Sequence, residues 1–280
     1  MGFRKKNSRK VRKKSIEIDI TWLLVGVLAL VLAFMFIRGS LTNSSSTKAT
    51  GLPLFVPSKV GNSAVFGDPT KADVVIFEYS DFACPACQYF AATTFPKLKS
   101  LIESGEIAYV AKYFIAVQGH KPLAEPAIVV AECVRKVNPE KYWEFRDAVF
   151  GYLSKGVEVK ELDNYYQSLV KLAQLPTAHQ KEVWRCVEKY KDNPAQVYAE
   201  DQSYVLNNIA PVEVPLEYIK SNPQIARQQP RIMLDVLGTP FFVLCKGPLE
   251  ENHKECTGYP VIGAVSYESL KQIIDTLKTN

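Results

Sequence analysis

The sequence predicts an α/β domain with a long helical middle, held behind one N-terminal transmembrane helix. Three observations predict it. A run of eighteen uncharged residues follows a basic cluster, strand patterns stand at both ends of the rest of the chain, and over a hundred residues of helical periodicity lie between them. With 280 residues, 47% of them hydrophobic and 22% charged, the chain has apolar material for a large core, which excludes disorder, a collagen repeat and a disulfide-stapled miniprotein.

Residues 1–15 read as a basic cytoplasmic tail. Eight Lys or Arg lie between Arg4 and Lys14 with no acid among them; without those eight the remaining chain has 26 basic and 29 acidic residues, a net of −3. That slightly acidic body argues against a nucleic-acid surface. Residues 16–37 follow as the transmembrane signal-anchor. Ile20 to Ile37 carry no charge and span about 27 Å as a helix, close to a hydrocarbon core of about 30 Å. Trp22 suits the interface, and basic residues before the span place the N-terminus in the cytoplasm and the rest of the chain outside. The rival reading is a cleaved signal peptide, although no A-x-A site follows Ile37. Residues 38–60, rich in Ser, Thr, Gly and Pro, read as a flexible linker, and the domain is expected over 61–280.

All six cysteines (Cys84, Cys87, Cys133, Cys186, Cys245, Cys256) lie on the side expected to be extracytoplasmic, where disulfides persist. Cys84-Pro85-Ala86-Cys87 stands apart by its spacing and setting. Asp73 to Ser80 has the β-branched and aromatic character of a buried strand. The residues after it have helical spacing to about Gly105, with Pro85 in the first turn, where its missing N–H costs nothing. Cys84 is thus expected at a helix N-terminus, where the dipole and free amides favour a thiolate. Cys87, one turn on, would resolve a mixed disulfide. The other readings are a purely structural short-loop disulfide and half of a zinc site, but a four-thiolate site would need a second CxxC, and the chain has none.

FEYSDFACPACQYF, followed by GTPFFV (Gly238 to Val243) and VIGAVSYESL (Val261 to Leu270), resembles the DsbA-like family of thioredoxin-fold thiol–disulfide oxidoreductases. The resemblance covers roughly residues 61–280 and rests on the order of the motifs. It implies a thioredoxin-like fold with an inserted helical domain, here about 118–232, and no metal or organic cofactor beyond the dithiol. It also implies that Thr239-Pro240 is a cis-proline loop packed against the redox pair, whose exposed backbone pairs with a substrate chain. Glu78, in the strand before the site, matches an acid that in the family assists proton transfer at the buried cysteine; its other reading is a strand-end carboxylate reaching solvent. Asp81 reads as a turn or cap residue. The chain departs from the strongest oxidants of the family at Ala86, where those carry a histidine, so the pair is expected to be less oxidising than theirs.

The middle of the chain contains five stretches with three-to-four apolar spacing, beginning at Pro122, Pro139, Glu161, His179 and Ala195; Trp143 and Trp184 belong to their core faces. Pro211 to Gln224, with three prolines, fits no clean helix. Cys133 and Cys186, on different helices, form a disulfide or remain two buried thiols. Cys245 and Cys256 flank a ten-residue hairpin loop whose strands lie close enough for a disulfide. Two thiols and His253 between them fall short of a four-ligand metal site. His120 and His179 read as surface residues.

The expected protein introduces disulfides into unfolded or folding secreted and surface proteins, and the resemblance implies a quinone-linked membrane partner that reoxidises it. The alternatives are a reductase or isomerase running the same site in reverse from a membrane electron donor, and a non-enzymatic thioredoxin-fold binding module.

Overall fold

The computed structural model describes residues 56–210, 238–252 and 254–279. The expected anchor, the proline-rich stretch 211–224 and His253 lie outside them; among the described residues, no helix is long and apolar enough to cross a membrane.

Six strands form one mixed sheet: β1 (Val56–Lys59), β2 (Ala64–Phe66), β3 (Val74–Ser80), β4 (Ile107–Tyr113), β5 (Phe241–Lys246) and β6 (Glu255–Ile262), in the order β1-β6-β5-β3-β4-β2. Among the described residues, only the β3–β4 pair is parallel. All residues of β3 and β4 are buried, as the continuous apolar run of β3 requires of a strand covered on both faces. Alternation along β3 sends Val75, Phe77 and Tyr79 to one face with Val243 and Cys245. Val74 and Ile76 go to the other face, under Phe90, Phe95, Leu98 and Leu270. β1 corrects the linker expected over 38–60. Val56 and Ser58 turn inward and the strand pairs with β6, so the domain starts at least as early as Val56. Pro57 is tolerated there because β1 is an edge strand.

The segment after Cys84 is two helices rather than the single one expected: α1 (Pro85–Thr93) and α2 (Phe95–Glu103). Pro96 explains the break. It lacks the amide that would bond the carbonyl of Ala92, and its ring crowds that turn. Thr94, at the joint, donates its hydroxyl to the carbonyl of Val265, 3.0 Å away, which ties the kink to the loop before the last helix, α8 (Tyr267–Thr279).

The inserted helical domain consists of α3 (Lys121–Val137), α4 (Tyr142–Leu153), α5 (Leu162–Leu172), α6 (Thr177–Tyr190) and α7 (Ala195–Tyr204), the last continued by a π-helical turn, Val205–Ile209. α3 is its axis: Ala127 to Ala131, Cys133 and Val134 are all fully buried. Cys133 and Cys186 are joined across α3 and α6, with Cα atoms 5.6 Å apart. Cys245 and Cys256 are joined across β5 and β6, at 6.2 Å.

Candidate active site

The chain leaves β3 at Ser80 and turns at Asp81 into the CPAC segment. The Asp81 carboxylate accepts the Ala83 amide at 2.8 Å, and its carbonyl accepts the Cys84 amide at 3.1 Å, an Asx-type turn that Asp favours. Cys84 then caps α1 in extended conformation, with Pro85 in the first turn. Cys84 is 8% exposed, while Cys87, one turn on and facing inward, is 0% exposed. The two sulfurs are not bonded to each other.

The Thr239-Pro240 bond is cis, and the Cys84 thiol donates to the Thr239 carbonyl at 3.1 Å. The next residues hold this loop in place. Phe241 stacks on Tyr79 at 4.4 Å, Phe242 tilts against Phe90 at 4.7 Å, and the Pro240 carbonyl accepts the Gly263 amide at 2.8 Å. Residues 155 apart in sequence thus meet because β5 lies next to β3.

The two thiols are driven apart electrostatically. Hydrogen bonding from the Cys87 thiol, then from the Thr239 side chain and the Cys87 and Ala86 amides, pulls Cys84 down to about 5 against the opposing effect of burial. Burial, then the hydrogen bond and charge of Cys84, pushes Cys87 well up. The donors that lower Cys84 come from α1 and the cis-proline loop, so a histidine at the Ala86 position is not needed for an acidic sulfur.

Glu78 does not reach solvent. It is fully buried, its Oε2 accepts the Tyr109 hydroxyl at 2.8 Å, and the same oxygen takes Nη2 of Arg146 from α4. Arg146 is itself 2% exposed and lies over the rings of Phe95 (4.5 Å) and Phe150 (4.8 Å). Sequence reasoning missed Arg146, yet it left a signal. It shares the inward stripe Tyr142, Phe145, Val149, Phe150 and Leu153, and a cation on such a stripe needs a buried anion. His120 is also corrected. It is not an ordinary surface residue, because its Nδ1 meets the fully buried carboxylate of Asp81 at 2.6 Å. Asp81 is the turn residue expected and this ion-pair partner as well. A cavity of about 310 Å3 opens beside Pro85 between α1 and α4, lined by Gln88, Tyr89, Ala92, Phe150 and Gly151. Among the described residues, no group of three or more His, Cys, Asp or Glu is placed to hold a metal ion.

Fold and site together define a thioredoxin-fold protein that carries an N-capping CxxC dithiol against a cis-proline loop, with a helical insertion of DsbA-like form. A family model described as thioredoxin matches residues 59–220, and the chain belongs to that family. Disulfide bond formation protein D of Bacillus subtilis is 31% identical over 101 residues, which cover 32% of this chain and 44% of that protein. The chain spans about half the length of the relatives it matches in sequence. Two crystal structures share the fold. α-DsbA1 of Wolbachia pipientis is 22% identical, with a TM-score of 0.53 over 81% of this chain and 94% of that one. Oxidised BdbD of Bacillus subtilis is 18% identical, with a TM-score of 0.53 over 80% and 97%.

Proposed function

We propose that this protein is a thiol–disulfide oxidoreductase that introduces disulfides into secreted and surface proteins from the outer face of a membrane. The observation that carries the reading is the polarised pair: an acidic Cys84 at the mouth of the site and a buried, protonated Cys87 behind it, both beside Thr239-Pro240. A stabilised thiolate favours the reduced pair, which is what makes a dithiol an oxidant of other proteins. The reductase and isomerase alternatives use the same atoms and differ only in the direction of electron flow.

In the oxidised protein, a substrate thiolate attacks Sγ of Cys84. The Cys84–Cys87 bond breaks, a substrate–Cys84 disulfide forms, and Cys87 leaves with the electron pair and takes a proton. A second substrate thiolate then attacks the substrate sulfur of that mixed disulfide. The substrate disulfide forms, and Cys84 leaves as the stabilised thiolate, with two electrons on the pair. The Thr239 backbone aligns the extended substrate chain, and the cavity beside Pro85 receives its flanking side chains. Glu78, whose Oε1 accepts no hydrogen bond within the protein, exchanges the proton of Cys87 in the reverse direction. A quinone-linked membrane protein removes the two electrons.

The uncharged run at 20–37 behind eight basic residues supports a single-pass anchor, cytoplasmic tail and extracytoplasmic domain. In cells making Cys87→Ser, adducts that run apart on non-reducing gels and collapse with reductant are expected through Cys84. The steady-state redox form of the wild-type Cys84–Cys87 pair in cells then reads the direction: a mostly oxidised pair means an oxidase, a mostly reduced one a reductase. The absence of adducts in Cys87→Ser, with Cys84 still open to alkylation, would sink the exchange reading.

A further inference from the structure

The Cys-Pro-Ala-Cys segment carries no cation, yet a carboxylate lies buried three residues before Cys84 and is 0% exposed. Asp81 is held by the Ala83 amide on one oxygen and by His120 Nδ1, at 2.6 Å, on the other, while its carbonyl takes the Cys84 amide. A like charge so placed opposes a thiolate, and only a partner for that carboxylate removes the opposition. His120 stands at the start of α3, its side chain 24% exposed, so a proton can reach it from solvent.

We propose that His120 is a positioning residue for the redox pair: as the imidazolium it cancels the buried charge of Asp81 and so lets the reduced protein hold Cys84 as a thiolate. This rests on the redox reading above and adds where a proton goes. Reduction by two glutathione thiols breaks the Cys84–Cys87 bond and forms one glutathione disulfide. Of the two protons that the thiols give up, one stays on Cys87 and the second is released to solvent rather than held on Cys84. The groups facing Asp81 are few. Cys84 stands just before α1 and His120 just before α3, and the Tyr198 hydroxyl of α7 feels the Asp81 charge but donates to Glu125 at 2.8 Å. Glu125 in turn has Lys121 Nζ at 3.9 Å. Burial first, with the Cys84 charge adding to it, pushes the Asp81 carboxyl up, and the same repulsion acts in return on the sulfur.

The test is the glutathione equilibrium of the full chain in mild detergent, from pH 5 to 9, for wild type, His120→Gln, His120→Arg, Asp81→Asn and the Asp81→Asn/His120→Gln double variant. His120→Gln is expected to lower the equilibrium ratio of reduced to oxidised protein roughly tenfold at neutral pH, about 30 mV in potential. His120→Arg keeps the wild-type potential at neutral pH, and in the Asp81→Asn background His120→Gln has less than about a twofold effect. A His120→Gln value within about twofold of wild type at neutral pH overturns the proposal, as does an equal drop in the Asp81→Asn background. Should Asp81→Asn fail to fold, the His120→Gln and His120→Arg pair decides alone. If glutathione neither reduces nor reoxidises the wild-type pair, the redox reading itself fails; a normal wild-type exchange with an unmoved His120→Gln removes only the role of His120.

Discussion

Glu78 of β3 and Arg146 of α4 form an ion pair across the boundary between the sheet and the helical insertion, with 0% and 2% of their side chains exposed. Each element supplies half of it. Alternation along β3 turns Glu78 to the same face as Val74 and Ile76, and the stripe of α4 turns Arg146 to meet it. Removing the cation alone leaves an uncompensated buried carboxylate, which costs about 3–5 kcal/mol. Arg146→Met is therefore expected to lower stability by that order in urea unfolding, and Glu78→Gln/Arg146→Met is expected to recover much of the loss. A single variant with a wild-type midpoint would show that the pair does not couple the two halves.

The acidity of Cys84 is assigned first to its neighbour. The Cys87 thiol is the leading donor, ahead of Thr239 and the amides of Cys87 and Ala86. In the reduced protein, the thiolate absorbance near 240 nm should therefore titrate with a midpoint of about 5. Cys87→Ala is expected to move that midpoint up by about one unit or more. Thr239→Val should move it in the same direction by less, because the Cys87 thiol and the amides of Cys87 and Ala86 stay in place. A Cys87→Ala midpoint equal to wild type would mean that the helix amides alone set the acidity.

The strand–CxxC–helix unit, the five inserted helices and the cysteines across two strands were legible because each is written in local pattern. What escaped has a common cause. β2 (Ala64–Phe66) is three residues long, too short for a period, and β1 lies in a Ser/Thr/Pro-rich stretch whose composition hides its inward Val56 and Ser58. The break at Thr94 was readable from Pro96. Arg146 was missed and His120 was read as a surface residue, because their meaning depends on partners 68 and 39 residues away, Glu78 and Asp81. Periodicity says which way a side chain faces, and only the fold says what waits there.

Stability should depend on pH differently in the two redox states. The folded Cys84 thiol is lowered from 9.0 to about 5. Its ionised form thus stabilises the reduced protein fully above about pH 9, and this contribution is lost as pH falls through about 5. Cys87 is pushed the other way by burial and adds nothing below about pH 8.5, where an unfolded thiol is also protonated. The oxidised protein has neither group. The thermal midpoint of the reduced protein should therefore gain on that of the oxidised protein as pH rises from 5 towards 9. A gap constant over that range would show that the thiolate is not favoured by folding.

The two remaining disulfides close loops of very different length, 53 residues for Cys133–Cys186 and 11 for Cys245–Cys256. On the loop-entropy account, these contribute about 4 and about 3 kcal/mol. The difference is small because closure entropy grows only as the logarithm of length. Packing separates them further. Cys245 is 1% exposed in the centre of the sheet, against the backbone of Gly258, where an added Cβ would lie 2.5 Å from its sulfur. Cys133 is fully buried in α3, but its partner Cys186 is only half-buried on α6. Cys133→Ala/Cys186→Ala should therefore loosen the insertion and lower the urea midpoint with the smaller effect on the Cys84 titration, since the donors to that sulfur come from α1 and the Thr239 loop. Cys245→Ala/Cys256→Ala opens β5 directly after the cis-proline loop, so it should lower stability and also raise the Cys84 midpoint. If the first pair shifts the Cys84 titration and the second does not, the redox sulfur takes its environment from the insertion and not from the Thr239 loop.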